Sequence, residues 1–255
     1  MKKITTDRER TEEYLKNFNH EKLLKLLVNH ESPVIFDVGA NEGVTISEFK
    51  AWWPQSTIHC FEPQEECWAN LDKAASCYPG SIFVNKIGVG AEKSSGLNFY
   101  SHKIEANNVS GKSGFHRINI ESKDSIRLSE LRNADEELVS YKESLNHSRT
   151  IPLITLADYI AEKNIEKINL LKIDTQGYEP EVLCGLKNLL KQVDVVISEL
   201  MFYDFYERSL SFSDIEQYLL PAGFQLYDIS HISKNPMNGR TDWVDVIYVN
   251  NSVIR

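Results

Sequence analysis

The sequence predicts an α/β fold: a mostly parallel sheet covered by helices on both faces, with one antiparallel strand at the end. Three observations predict it. Short, nearly all-apolar strands alternate with helical stretches through most of the chain, as expected for parallel strands buried on both faces and joined by helical crossovers. A glycine-containing turn follows the first strand directly, where an open α/β sheet forms its ligand crevice. The last two strands follow each other with no helix between them, so one of them runs antiparallel.

The elements follow in order. Asp7 to Asn29 reads as helix, with Tyr14, Leu15, Phe18, Leu23, Leu24, Leu27 and Val28 at roughly helical spacing. After Ser32-Pro33 the period changes, and Val34 to Val38 is a strand ending at Gly39. Gly43 to Trp53 is a helix stopped by Pro54, Thr57 to Phe61 a second strand closed by Glu62-Pro63, Gln64 to Ala75 a helix, and Ile82 to Asn85 a third strand. Gly96 to His102 adds an extra strand. Glu105 to Thr150 is polar without a sustained apolar period, which predicts a long substrate-facing loop or an insertion with short helices. Leu156 to Lys163 resumes as helix, Ile168 to Asp174 as strand, Glu179 to Lys191 as helix and Val193 to Ser198 as strand. Phe212 to Leu220 is a helix ended by Pro221 and Gly223. Phe224 to Ile229 and Val244 to Val249 are the last strands, with Lys234 to Thr241 as a hairpin loop. The expected organisation is an N-terminal helical segment, 1–32, and one α/β domain, 33–255, with a polar insertion around 105–150.

The bulk properties agree with this. A chain of 255 residues fits one large domain or two small ones, and 42% hydrophobic and 25% charged residues are ordinary for a soluble globular protein. A net charge of -9 argues against a general nucleic-acid binder, which neutralises phosphates with Lys and Arg. The four cysteines, Cys60, Cys67, Cys77 and Cys184, form no C-x-x-C pair and sit at no zinc-ligand spacing with a His. They read as reduced thiols of a cytoplasmic protein. Met1 to Arg10 is charged and lacks an apolar signal core, and no apolar run is long enough to span a bilayer.

Three stretches carry chemistry. Asp37-Val38-Gly39-Ala40-Asn41-Glu42-Gly43 lies where strand becomes helix. Compared with the dinucleotide fingerprint G-x-G-x-x-G, Asn41 replaces the second glycine and the third is missing. The second glycine lets a pyrophosphate touch the backbone. A side chain there disfavours a dinucleotide and tolerates a nucleoside with a small polar tail. Glu62 closes the next strand about twenty residues on, where a carboxylate accepts hydrogen bonds from both hydroxyls of a ribose. Asp174 closes the buried strand of Leu170-Leu171-Lys172-Ile173-Asp174-Thr175-Gln176-Gly177-Tyr178-Glu179 and should face the same crevice as Asp37. It suits a general base toward a hydroxyl, or a countercharge to a sulfonium. The blander alternative makes it an N-cap for the next helix, with Gln176 and Gly177 shaping the turn.

The segments DVGANEG, FEP, ITLADYI and INLLKIDTQGYEPEVLCGLKNLL resemble the FkbM family of S-adenosylmethionine-dependent methyltransferases. The last is the most specific; DVGANEG alone points only to a class I methyltransferase. The resemblance spans roughly Pro33 to Leu200, with a weaker echo at Asp245 to Val249. It implies a Rossmann-like, class I sheet of seven strands with the last antiparallel, S-adenosylmethionine as methyl donor, and O-methylation of a sugar, glycan or secondary metabolite. Two departures stand out. Thr175-Gln176-Gly177 replaces the family's frequent Val-Glu-Gly, and the polar stretch Gly111 to Thr150 has no obvious counterpart.

The candidate donor contacts are Asp37, Gly39, Ala40, Asn41, Gly43, Glu62, Pro63 and, just past the third strand, Ile87. Asp174 and Glu199, which ends another central strand, are the catalytic candidates. Asn107, Gln176 and Tyr203 are candidates for the acceptor side. Asn107 belongs to the loop Asn107-Asn108-Val109-Ser110-Gly111. Tyr203 belongs to the aromatic run Met201 to Tyr206, which suits a sugar-stacking wall, core packing or a homodimer contact. No metal-spaced histidine pair occurs among the seven histidines, and no metal site is expected, with Mg²⁺ on Asp174 and Glu199 as the minor alternative. The rival functions are an NAD(P)-dependent oxidoreductase, against which Asn41 counts, and a non-catalytic methyltransferase-like binding module.

Overall fold

The computed structural model describes residues 6–102, 111–122 and 142–253. The N-terminal helical stretch is two helices rather than one, α1 (Asp7–Asn17) and α2 (His20–Val28). Thr6 and Glu9 form a reciprocal capping box at the start of α1. The chain then becomes extended at Phe18. Asn19 starts α2, its Oδ1 accepting the Lys22 backbone N–H at 2.9 Å. A short amide side chain that competes for backbone donors ends one helix and caps the next. α2 buries Leu23, Leu24, Leu27 and Val28, whereas α1 buries no residue.

The strands are β1 (Val34–Val38), β2 (Thr57–Phe61), β3 (Ile82–Asn85), β4 (Gly88–Val89), β5 (Ser94–Ser101), β6 (His147–Ile154), β7 (Ile168–Ile173), β8 (Val193–Met201), β9 (Phe224–Lys234) and β10 (Thr241–Asn250). The helices between them are α3 (Val44–Trp52), α4 (Glu65–Ser76), α5 (Leu156–Lys163), α6 (Glu179–Leu186) and α7 (Phe212–Leu219). Seven strands form the main sheet in the order β3-β2-β1-β7-β8-β10-β9. β10 is antiparallel to both of its neighbours, and the other pairings are parallel. The strand order reverses direction between β1 and β7, which places the ligand crevice at the carboxyl ends of those two strands.

Strand alternation divides the core into two layers. Ile35 packs with Leu24, Ile46, Phe49 and Leu170 on one face, while its neighbour Phe36 packs with Tyr159, Leu171, Leu183 and Val196 on the other. The first layer includes α2, so the entry helix is anchored on the sheet.

A second, three-stranded sheet, β4-β6-β5, was not expected. β6 begins inside the polar stretch 105–150 and buries only Ile151 and Leu153, too sparse a signal for a strand. A third small core of Ile118, Leu145, Phe205 and Tyr206 joins residues of the same stretch to the chain after β8. Among the described residues, no helix is long and apolar enough to cross a membrane.

Candidate active site

The turn after β1 is shaped by close contact with β7. Gly39 has φ +86°, and a Cβ on it would lie 1.9 Å from the Asp174 carbonyl oxygen, so only glycine fits. The Gly39 and Ala40 N–H groups donate to the Phe61 carbonyl at 3.0 and 3.1 Å, fastening the turn to β2. Gly43 faces Leu71, Ala74 and Ile46 instead, so its role is to start α3 against α4.

Glu62 locks two turns together. Its side chain accepts the Asn41 N–H on Oε2 and the Gln64 N–H on Oε1, each at 2.7 Å. The residue is 6% exposed. Burial pushes its carboxyl up to about 7 against the pull of those two backbone donors.

A pocket of about 570 Å³, counted to its open mouth, lies beside this carboxylate. Its lining includes Gly39, Asn41, Glu62, Pro63 and Ile87, then Asp174, Thr175 and Gln176, and also Phe99 with Gly111, Ser113, Gly114 and Phe115. Of the other sequence candidates, Asp37, Ala40, Gly43, Glu199 and Tyr203 lie outside the lining, and Asn107 lies outside the described residues. Tyr203 packs on Phe205 and under the Arg240 guanidinium, 4.9 Å from its ring centroid. Phe205 and Tyr206 of the same run are buried within the chain.

Behind the pocket, a row of charges crosses the sheet. Asp37 and Lys172 are register partners, and the Lys172 Nζ lies 3.3 Å from Asp37 Oδ1 and 3.6 Å from Asp174 Oδ2. Asp37 is fully buried, and burial raises its carboxyl although Lys172 opposes this. Burial drives the Lys172 ammonium down, but Asp37, Asp174 and Glu199 outweigh it and hold the group above its ordinary value. The Asp174 side chain is 38% exposed, against 0% for Asp37, so Asp174 is the member of this pair open to a ligand.

Gln176 bridges the other two carboxyls. Its Nε2 donates to Asp174 Oδ1 at 2.8 Å and to Glu199 Oε2 at 3.0 Å. Burial, then the negative charges of Asp174, Glu179 and Asp245, push Glu199 well above the usual carboxylate range. Gln176 presents N–H donors to both carboxyls where the minor alternative put Mg²⁺. Among the described residues, no group of three or more His, Cys, Asp or Glu side chains is arranged to hold a metal ion.

The turn after β7 is held by Glu179, not by Asp174. The buried Glu179 Oε1 accepts the N–H groups of Thr175 at 2.8 Å and Gly177 at 3.3 Å. Its carboxyl is pushed by burial to about 7. The α6 N-cap position is Tyr178, with no side-chain cap bond. The capping alternative for Asp174 therefore has no hydrogen bond behind it.

Lys172, Glu179 and the segment Lys112 to Phe115 carried no expected role, Gly111 figured only as the end of a candidate loop, and Tyr206 only within the aromatic run Met201 to Tyr206. Lys172 had a signal, a lone cation in the otherwise uncharged strand Ile168–Ile173. Glu179 had the acidic first turn of a helix. The hydrogen bonds of Tyr206 had none, because its partners are 30 and 94 positions away.

Residues 37–226 match the methyltransferase FkbM domain model. The hexuronic acid methyltransferase AglP of Haloferax volcanii is 26% identical over 182 residues, covering 70% of this chain and 61% of that protein. The 2-O-methyltransferase NoeI of Sinorhizobium fredii is 24% identical over 206 residues, covering 80% and 76%. The 31-O-demethyl-FK506 methyltransferase FkbM of Streptomyces tacrolimicus is 30% identical over 161 residues, covering 61% and 60%. The matched part of the chain thus spans about three-fifths of the length of the first and third of these proteins.

Proposed function

Because the chain belongs to the FkbM methyltransferase domain family, we propose that it methylates a hydroxyl of a sugar, glycan or secondary metabolite, with S-adenosylmethionine as donor. The observation that carries this reading is a single pocket lined by both Glu62 and the exposed carboxylate of Asp174. The names of the three relatives, a hexuronic acid methyltransferase, a 2-O-methyltransferase and a 31-O-demethyl-FK506 methyltransferase, support a hydroxylated acceptor.

The residues present fit the donor. Gly39 lets the β1 turn close against Asp174 at the pocket, Asn41 puts a side chain in the lining where the dinucleotide fingerprint has glycine, and Glu62 offers a carboxylate to ribose hydroxyls. S-Adenosylmethionine supplies an electrophilic methyl on a sulfonium for in-line transfer to oxygen. The chain's own task is alignment and proton removal. Asp174 accepts the acceptor hydroxyl's proton, while Gln176 and Lys172 hold its two oxygens. Glu199 has no contact with the pocket and acts through Gln176.

Calorimetry tests the donor half of the proposal. S-Adenosylmethionine and S-adenosylhomocysteine should bind, and NAD should bind far more weakly. Affinity for S-adenosylhomocysteine should rise from pH 6 to pH 8, as Glu62 ionises through about 7. The ionised form accepts from Asn41, Gln64 and ribose together, whereas the protonated form gives up an acceptor site. Glu62→Gln should bind about 10–100-fold more weakly, the scale of hydrogen bonds to a charged group, and lose this pH dependence. Tighter binding of NAD, or no binding of either sulfur ligand, overturns the reading.

A further inference from the structure

Tyr206 does not line the pocket, yet its hydroxyl stands one residue behind Asp174. The ring is 1% exposed and packed with Ile118, Leu145 and Phe205. A phenol this deeply buried requires a hydrogen-bond partner. It has two, Gln176 Oε1 at 2.7 Å and the Lys112 carbonyl at 2.8 Å. Both are acceptors, and the hydroxyl has one proton, so it serves one at a time.

The Gln176 carboxamide is fully engaged. Nε2 donates to Asp174 and Glu199, and Oε1 accepts from Tyr206. Turned over, the amide would press its oxygen against two carboxyl groups. Gln176 also sits at φ +58°, a left-handed conformation that disfavours a Cβ. Glycine would relieve that strain, so the position retains a long polar side chain at a conformational cost.

Asp174 is faced by Lys172 on its own strand, Asp37 from β1, Glu199 from β8 and Asp245 from β10. Three other carboxyl groups and one ammonium therefore face it, and the contacts that fix its direction are the ammonium of Lys172 and the amide of Gln176.

We propose that Tyr206 is a positioning residue for methyl transfer, whose hydroxyl locks the Gln176 carboxamide and thereby aims Asp174 at the acceptor. The inference rests on the reading of Asp174 as proton acceptor. The hydroxyl also reaches the carbonyl of Lys112, which stands in the chain between the lining residues Gly111 and Ser113. A Cβ on Gly114 in that segment would lie 3.3 Å from the Gln176 Cβ, so segment and turn meet at the residue Tyr206 holds.

Tyr206→Phe keeps the ring and removes the hydroxyl. The first readout needs no acceptor: NMR hydrogen exchange of the Gln176 side-chain amide in the full chain with S-adenosylhomocysteine. Exchange should quicken about tenfold or more, the scale of one lost hydrogen bond. The second readout is turnover on a methyl acceptor. kcat should fall about 10–100-fold, as for a misaligned reacting group, with KM for S-adenosylmethionine unchanged. A role in packing alone would lower the melting temperature without this split. Unchanged amide exchange overturns the proposal, and so does faster exchange with normal kcat. Asp174→Asn, run in parallel, separates the two ideas. If Asp174→Asn is inactive and Tyr206→Phe is normal, only the positioning role falls. If Asp174→Asn turns over normally, the reading of Asp174 falls and the positioning role with it.

Discussion

Asp174→Asn is expected to lower turnover about 10²–10⁴-fold, the usual contribution of a general base, and to change donor affinity little. The substitution keeps the shape and removes the charge. Asp174 follows β7, an inner strand whose carboxyl end opens at the switch point of the sheet. The side chain there is 38% exposed and lines the pocket. Were Asp174 only a helix cap, Asn would serve about as well, and turnover would stay near normal. The N-cap position is Tyr178, with no side-chain cap bond, and the turn before it is held by Glu179, which takes the N–H groups of Thr175 and Gly177. Rate and donor affinity measured on the folded variant decide the matter, and near-normal turnover removes Asp174 from the catalytic residues.

The largest effect of a single methyl group is expected at Gly39. In Gly39→Ala the new Cβ would lie 1.9 Å from the Asp174 carbonyl oxygen and 2.8 Å from its carbon. Both are backbone atoms at the end of a central strand, so relief requires β1 and β7 to part. The residue also has φ +86°. A cost of at least about 2 kcal/mol is expected, read as a fall in melting temperature of about 4–8 °C, together with loss of measurable S-adenosylhomocysteine binding. Gly80→Ala is the control, since Gly80 shares a positive φ of 78° but has nothing within 4 Å of its built Cβ. It should show only the strain of a left-handed residue, about 1–2 kcal/mol, with binding intact. Equal effects at the two positions would show that steric conflict with Asp174 is not what requires glycine at 39.

The Gly39 and Glu62 part of the pocket was legible in the sequence because it is local. Gly39 and Glu62 each follow a short apolar strand, and parallel pairing of β1 with β2 brings strand ends together. Asp174 was legible for the same reason, at the end of β7 beside β1. The part of the lining from Gly111 to Phe115 was not, because distant segments hold it. It is tied to Tyr100 and Tyr206 by contacts that leave no period in the chain. β6 escaped notice because its outward positions are polar and only Ile151 and Leu153 are buried. The split of the first helix was readable in Asn19, but the apolar spacing across Phe18 and Leu23 masked it. Glu199 was expected to end its strand, but β8 runs on to Met201, so Glu199 lies inside the strand, and its link to Asp174 depends on the Gln176 rotamer, which no sequence pattern encodes.

Methyl transfer itself is the most direct test of the account. The protein is incubated with methyl-labelled S-adenosylmethionine and a panel of sugars, glycans and hydroxylated metabolites, and products are read by mass and by label. The account predicts an acceptor that gains one methyl group on oxygen, as an ether, only when donor and active protein are both present. Binding of S-adenosylmethionine without transfer to any hydroxylated acceptor would contradict it and favour a non-catalytic binding module.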